Sequence, residues 1–351
     1  AIGTAAGDAA QNVQVVFTGD ITEAVSGEGL TIDTLEALKR EQESLSDGSP
    51  VINPGIVLAG SVLKNTKGGA ASETLVFGTT DDGAAHAIDL SIGFSKIANA
   101  ENVEVNNGRE LVFAGVARAD GTTWSSDDAK LLVDAQSGGK ATVAEGAKLT
   151  FGTYGLGYMT AGWLQNVENA GTLTVKSGEY GIKGTYSTSG TTDVQKGSTL
   201  HVNDFDAKTG SKTNVADAGL SVGTLDIDSA ASVALAGKSA LEATGATTVA
   251  GTLTTSAETT AAFADLTVKT GGLAAIAGGA TGGELALESS AQATLSGNQT
   301  WRHIVLAGFT EDEKAELKVD SNGVLALEEA STSDIVGGRL ANEGKLDFTK
   351  V

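Results

Sequence analysis

The 351-residue chain has no cysteine, only two prolines, one methionine and three tryptophans, and its 23 basic residues are outnumbered by 44 acidic ones. Without cysteine there is neither a disulfide framework nor a thiolate metal site. The shortage of bulky residues argues against a conventional large core, which draws on Phe, Trp and Met. The shortage of bases leaves a formal charge of −21, so the average surface repels phosphate backbones and anionic headgroups, and nucleic acid is excluded as an expected partner. No apolar run reaches the 18 residues of a membrane-spanning helix. The chain opens at Ala1 without an initiator methionine or a basic-then-apolar leader, and the expectation is a processed product of an exported protein.

What is present is small and β-prone. Alanine, valine, leucine and threonine dominate beside 47 glycines, and 40% of residues are hydrophobic, enough to fold around a thin core. The run Gly171-Thr172-Leu173-Thr174-Val175 returns as Gly223-Thr224-Leu225-Asp226-Ile227, Gly251-Thr252-Leu253, Gly283-Glu284-Leu285-Ala286-Leu287, Gly323-Val324-Leu325-Ala326-Leu327 and Gly344-Lys345-Leu346-Asp347-Phe348. Glycine permits a tight turn, and the alternation that follows turns one face of a short strand inward. No such unit buries that face alone, so the units must stack. The predicted fold is all-β, a β-solenoid of the parallel β-helix type, with Leu173, Val175, Leu225, Ile227, Leu285 and Leu287 facing the interior. Stacked sandwiches are the alternative. At roughly 25 residues per rung, each rung would add about 4.8 Å to an elongated stack.

Residues 1–68 read differently. Asp33-Thr34-Leu35-Glu36 resembles a capping box, Leu35, Leu38 and Leu45 follow at helical spacing, and Pro50 and Pro54 bracket the exit. This predicts an N-terminal cap with one helix over about residues 31–46. Residues 69–300 form the expected solenoid. Residues 301–351 add C-terminal rungs with a short insertion, where Thr310-Glu311-Asp312-Glu313 signals a second helical turn over about 310–315. The last strands are followed by no evident polar cap, which leaves an end able to continue or to pair with another copy.

Val167-Glu168-Asn169-Ala170-Gly171-Thr172-Leu173-Thr174-Val175 and Leu340-Ala341-Asn342-Glu343-Gly344-Lys345-Leu346-Asp347-Phe348 share the pattern Asn-x-Gly-x-Leu. In this texture, across about residues 69–351, the chain resembles the passengers of bacterial autotransporters and related large β-helical adhesins. The resemblance implies an extracellular or cell-surface location and contact with a host or bacterial surface, protein or glycan, or with further copies of the chain. It departs from the family in its loose glycine spacing, and the membrane barrel that follows a passenger is not in this sequence.

For chemistry the residues offer little. The three histidines, His86, His201 and His303, have no metal-ligand spacing, and the calcium-binding Gly-Gly-x-Gly-x-Asp pattern is absent; Asp320-Ser321-Asn322-Gly323 reads as a turn. Ser46-Asp47-Gly48-Ser49-Pro50 has the wrong order for a serine-protease loop and reads as a helix-terminating turn. Asp204 with Asp206, and Asp226 with Asp228, share strand faces at i,i+2, a spacing that suits acid–base work or a cation and equally suits solvated strand positions. The segment that stands out is aromatic. All four tyrosines, Tyr154, Tyr158, Tyr180 and Tyr186, fall close together with Trp163, as on recognition surfaces, although a buried aromatic plug has the same composition. These five residues are the candidate binding site; no catalytic residue, metal ligand or cofactor is expected. The reading is a secreted or cell-surface, non-enzymatic solenoid acting in adhesion or self-association. The alternatives are a self-assembling subunit of an extracellular filament or virion coat, and a polysaccharide-active β-helix enzyme.

Overall fold

Leu220, Val222, Leu225 and Ile227 are all buried, although strict alternation would turn the last two outward. The strand Gly219–Ile227 therefore changes phase at Gly223-Thr224, and the same slip recurs between Phe263 and Leu266 and between Trp301 and Ile304. Such slips let one long strand line two stretches of the same interior. A turn and a short strand, here Ser232–Ala236 with Val233 and Leu235 inward, complete the rung.

The computed structural model describes residues 140–152, 161–308, 313–328, 334–336 and 338–347, together with strands and turn residues at 15–16, 55–65, 74–78, 87–88, 96–105, 107–108 and 110–115. Its described part is an all-β solenoid of parallel strands without an α-helix. The chain divides into two compact units, residues 1–184 and 185–351.

In the second unit, long strands from Ser198–Ala207 to Asn298–Ala307 pair in parallel in one sheet, and short strands from Thr191–Val194 to Arg339–Asn342 pair in parallel in another. Leu200 lies beside Leu220, Leu220 beside Leu241, Leu241 beside Ala261, and Ala261 beside Ala280. The rung is thus 19–21 residues, shorter than the expected 25; Trp301 beside Leu327 and Leu317 beside Leu340 show it lengthening near the C-terminus. Identical inward positions stack into columns, as in Phe205–Leu225–Thr247–Leu266–Leu285–Ile304. Each fully buried Leu in such a column contributes about 1.5–3 kcal/mol. All six residues predicted to face inward are buried.

In the first unit the intervals are longer: Val103 lies beside Ala141 and Leu111 beside Leu149, 38 residues apart, and Val167 beside Ala141, 26 apart. Parallel pairing already joins Gly55–Asn65 to Lys96–Val105, so strands of the ladder lie inside the segment expected as a cap. The helix expected at 31–46 lies outside the described residues. So do residues 310–312 of the second; Glu313 is in 3₁₀ conformation, the described residues after it hold no helix, and Ala315 donates its N–H to the Ala307 carbonyl at 2.9 Å.

The recurring glycine has several roles, which explains its irregular spacing. A Cβ on Gly251 would sit 2.3 Å from the Ala231 carbonyl oxygen and 2.4 Å from that of Asp228, so the turn before Thr252–Thr255 rests directly on the preceding rung's turn. Gly223 and Gly283 instead mark the phase slip of long strands, over the carbonyls of Asn203 and Ala264. Close approach, and not positive φ, demands glycine at these three positions. Positive φ belongs to the four-residue turns between sheets, at Gly146, Gly210 and Gly271, with Ala230 and Ser290 occupying the same place elsewhere.

Candidate functional site

The aromatic segment is the first place to look, and two of its tyrosines belong to the interior. Tyr180 is 2% exposed and stacks on Phe151 with ring centroids 4.8 Å apart. Tyr186 is fully buried, packs against Phe205 at 4.9 Å, and shares a hydrogen bond with the buried Thr192 hydroxyl. Inward strand positions next to Phe columns place them there, so the expected patch loses Tyr180 and Tyr186 as contact residues. Tyr154 and Tyr158 lie outside the described residues, as does the side chain of Trp163.

The acidic pairs are brought together across rungs. Asp206 is the register partner of Asp226, and Asp204 that of Thr224. Carboxylate oxygens of Asp206, Asp226 and Asp228 all lie within 4.8 Å of one another on the outward side of the long strands. Lys208 forms an ion pair with Asp206, and this contact, with the charges of Asp228 and Asp226 nearby, holds the ammonium above its ordinary value. The group has the chemistry of an oxygen-rich cation site or a carboxylate pair, and Lys208 already neutralises part of it.

A second outward row runs Asp265–Glu284–His303 over three successive rungs. His303 Nδ1 lies 2.9 Å from Glu284 Oε2, and the Glu284 backbone N–H donates to Asp265 Oδ1 at 2.9 Å. His201 is half-buried between its buried neighbours Leu200 and Val202. His86 lies outside the described residues. Asp320-Ser321-Asn322-Gly323 is a turn: the Asn322 N–H donates to Asp320 Oδ1 at 2.9 Å and the Gly323 N–H to the Asp320 carbonyl at 2.9 Å. The Ser296 hydroxyl also donates to Asp320, and these donors hold its carboxyl below the ordinary range.

The largest feature that sequence reading missed is a face without charge. On the short-strand sheet the outward residues Ser232, Thr252, Leu273 and Gln292 are successive register partners, as are Ala234, Thr254, Ala275 and Thr294. Two rows of four thus cross four strands with no ionisable group, on a chain of net charge −21. Leu273, 38% exposed, is the exposed large hydrophobic residue among the described ones. Charge resumes on both sides, at Lys212 and at Glu316 with Lys318. Along the chain these residues are about 20 apart, so no linear window shows them as one surface. The signal was the absence of charge at alternate positions in Ser232-Val233-Ala234-Leu235-Ala236, Thr252-Leu253-Thr254-Thr255, Leu273-Ala274-Ala275-Ile276 and Gln292-Ala293-Thr294-Leu295.

No protein-family model and no curated protein matches the chain. Among solved structures, a hyper-glycosylated TibA fragment, the glycosylation catalysed by TibC, is similar at 14% identity and a TM-score of 0.23, over 84% of this chain and 99% of that one. At those values the likeness carries no weight of its own, and the solenoid assignment stands on the strand register.

Proposed function

We propose that this chain is a non-enzymatic contact scaffold of the cell surface or extracellular space, acting in adhesion or self-association. The observation that supports this reading is the uncharged face across Ser232–Ala236, Thr252–Thr255, Leu273–Ile276 and Gln292–Leu295. Charged residues cost desolvation at an interface, and a rigid plane of hydroxyl and methyl groups meets a partner with little ordering cost. One such contact is weak; many copies on one surface sum by multivalency. A host or bacterial surface, protein or glycan, and further copies of the chain are the partners this reading admits. The test replaces Thr252 and Thr294 with Lys, and separately with Asp, on the face alone. Both pairs are expected to abolish cell adhesion or aggregation conferred by the displayed chain while melting changes by less than about 1 kcal/mol. Undiminished adhesion by both folded variants would remove the face from the function.

A polysaccharide-active enzyme is the second reading, favoured by the Asp206, Asp226 and Asp228 convergence. It requires that Asp226→Asn abolish a glycan-cleaving activity, which the scaffold reading does not.

A further inference from the structure

The charges that bound the uncharged face are opposite in sign and equally far from its centre. The outward row Lys212–Ser232–Thr252–Leu273–Gln292–Glu316 crosses six strands in continuous register, and Asn214–Ala234–Thr254–Ala275–Thr294–Lys318 runs beside it. The midpoint of both rows falls between the strands of Thr252 and Leu273, with Lys212 at one end of the first row and Glu316 at the other. Both ends reach solvent: Lys212 is exposed, and the Glu316 side chain is 41% exposed. Arg339 lies 3.8 Å from Glu316 Oε1, beyond hydrogen-bond range, so that carboxylate can take another cation. A face with opposite charges at its two ends is complementary to itself turned end for end.

We propose that this face pairs with the same face of a second copy of the chain, the two stacks running in opposite directions. The inference rests on the reading of the face as a contact surface and names its partner. A two-fold axis lying in the interface along the strands reverses the order of rungs, keeps each row against itself, and closes at two copies. Thr252 then meets Leu273 of the second copy, Ser232 meets Gln292, and Lys212 meets Glu316, each contact made twice. In the other row Lys318 meets Asn214 of the second copy, whose amide donates to the neighbouring Asp193 carboxylate at 2.8 Å. An axis along the stack would instead set Lys212 against Asn214 of the second copy and leave both Lys212 ammoniums opposite amides. Charge also favours a second copy over a foreign surface. Copies of net charge −21 repel one another on average, and this arrangement opposes no like charges across the six strands. Six strands about 4.8 Å apart and four residues deep offer roughly 400 Å² per copy, half a standard interface, so the pairing is weak and reversible. The ion pairs at its ends add little affinity and set the direction.

Sedimentation velocity of the 351-residue chain over a concentration series is expected to show monomer passing to dimer. Lys212→Glu and Glu316→Lys each bring like charges together twice, and each should weaken dimerisation about tenfold while melting stays near wild type. An equimolar mixture of the two variants, and the chain carrying both changes, put opposite charges together again and should dimerise as wild type does. A chain that stays monomeric throughout, a species that grows beyond two copies, folded single variants that dimerise unchanged, or a mixture that does not recover would overturn the proposal. The broader reading fails separately. A monomeric chain whose displayed form still loses adhesion on Thr252→Lys with Thr294→Lys would keep the face as a contact surface for a foreign partner and overturn the pairing alone.

Discussion

At the scale of single residues, several polar groups of the interior are satisfied by a neighbour. The Thr192 hydroxyl has Tyr186, and the Ser239 hydroxyl donates to the carbonyls of Ala236 and Val215 at 2.6 and 3.1 Å. Gln299, 1% exposed, turns its amide onto the carbonyls of Ser296 and Gly278 at 2.8 and 3.1 Å. Thr247 has no such arrangement: it stands in the column between Leu225 and Leu266, 1% exposed, and its hydroxyl has no hydrogen-bond partner. Removing a buried unsatisfied group of nearly unchanged shape should help. Thr247→Val is expected to raise the unfolding free energy by about 1 kcal/mol in denaturant titration. A loss of stability would mean that the hydroxyl is satisfied. Thr247 shows why a column cannot be read from hydropathy alone: of its neighbours along the chain, Ala246 is the more apolar yet exposed, and Thr248 is the same residue yet only half-buried.

At the scale of elements, two kinds of glycine look alike in the sequence and differ in what they forbid. Gly197 has φ of +77° with nothing near a would-be Cβ, whereas Gly251 has no left-handed backbone but two carbonyl oxygens in the way. Asparagine visits the left-handed region and is expected to cost under about 1 kcal/mol at Gly197. At Gly251 any side chain must push two rungs apart, so Gly251→Asn should cost about 1–3 kcal/mol or more, read from paired thermal melts. Equal costs at the two positions would collapse the distinction. Gly282 belongs to the second kind: its Cβ would fall 2.2 Å from the Trp301 ring, which reaches past it to lie 5.8 Å from Phe263, two rungs back. A glycine opposite a tryptophan, 19 residues away, is a packing pair that no local pattern reveals.

At the scale of the whole molecule, stability should hold level through neutral pH and fall at both ends. The Lys269 ammonium donates to Glu288 at 2.7 Å and, with the Thr270 N–H, holds that carboxyl below its ordinary 4.5; Ser296 and the turn N–H groups hold Asp320 below 3.8. A carboxyl lowered in the folded state stabilises fully above its unfolded value and loses that contribution as pH falls through the folded one. Lys208, raised above 10.5 by Asp206, contributes fully below that value and loses its contribution as pH rises through the raised one. Denaturant titrations are expected to show a plateau between about pH 5 and 9, with Asp320→Asn removing part of the acid-side fall. A wild-type acid limb identical to that of Asp320→Asn would show that Asp320 carries none of it.

The sequence by itself determined the all-β class, the parallel stacking and the inward residues, because alternation and turn glycines are local properties and each rung repeats the same local problem. It misjudged the rung, since Gly-x-Leu occurs in both sheets and its spacing mixes the two. The tyrosines were legible as a cluster, but that Tyr180 and Tyr186 are interior was not, because composition is the same for a patch and a plug; only the packing of Tyr180 on Phe151 and of Tyr186 against Phe205 decided it for these two. The convergence of Asp206 with Asp226 and the uncharged face were decided by tertiary structure alone. Each depends on which residue about 20 positions away lies alongside, and that register is set by how successive rungs stack, not by the residues next in line.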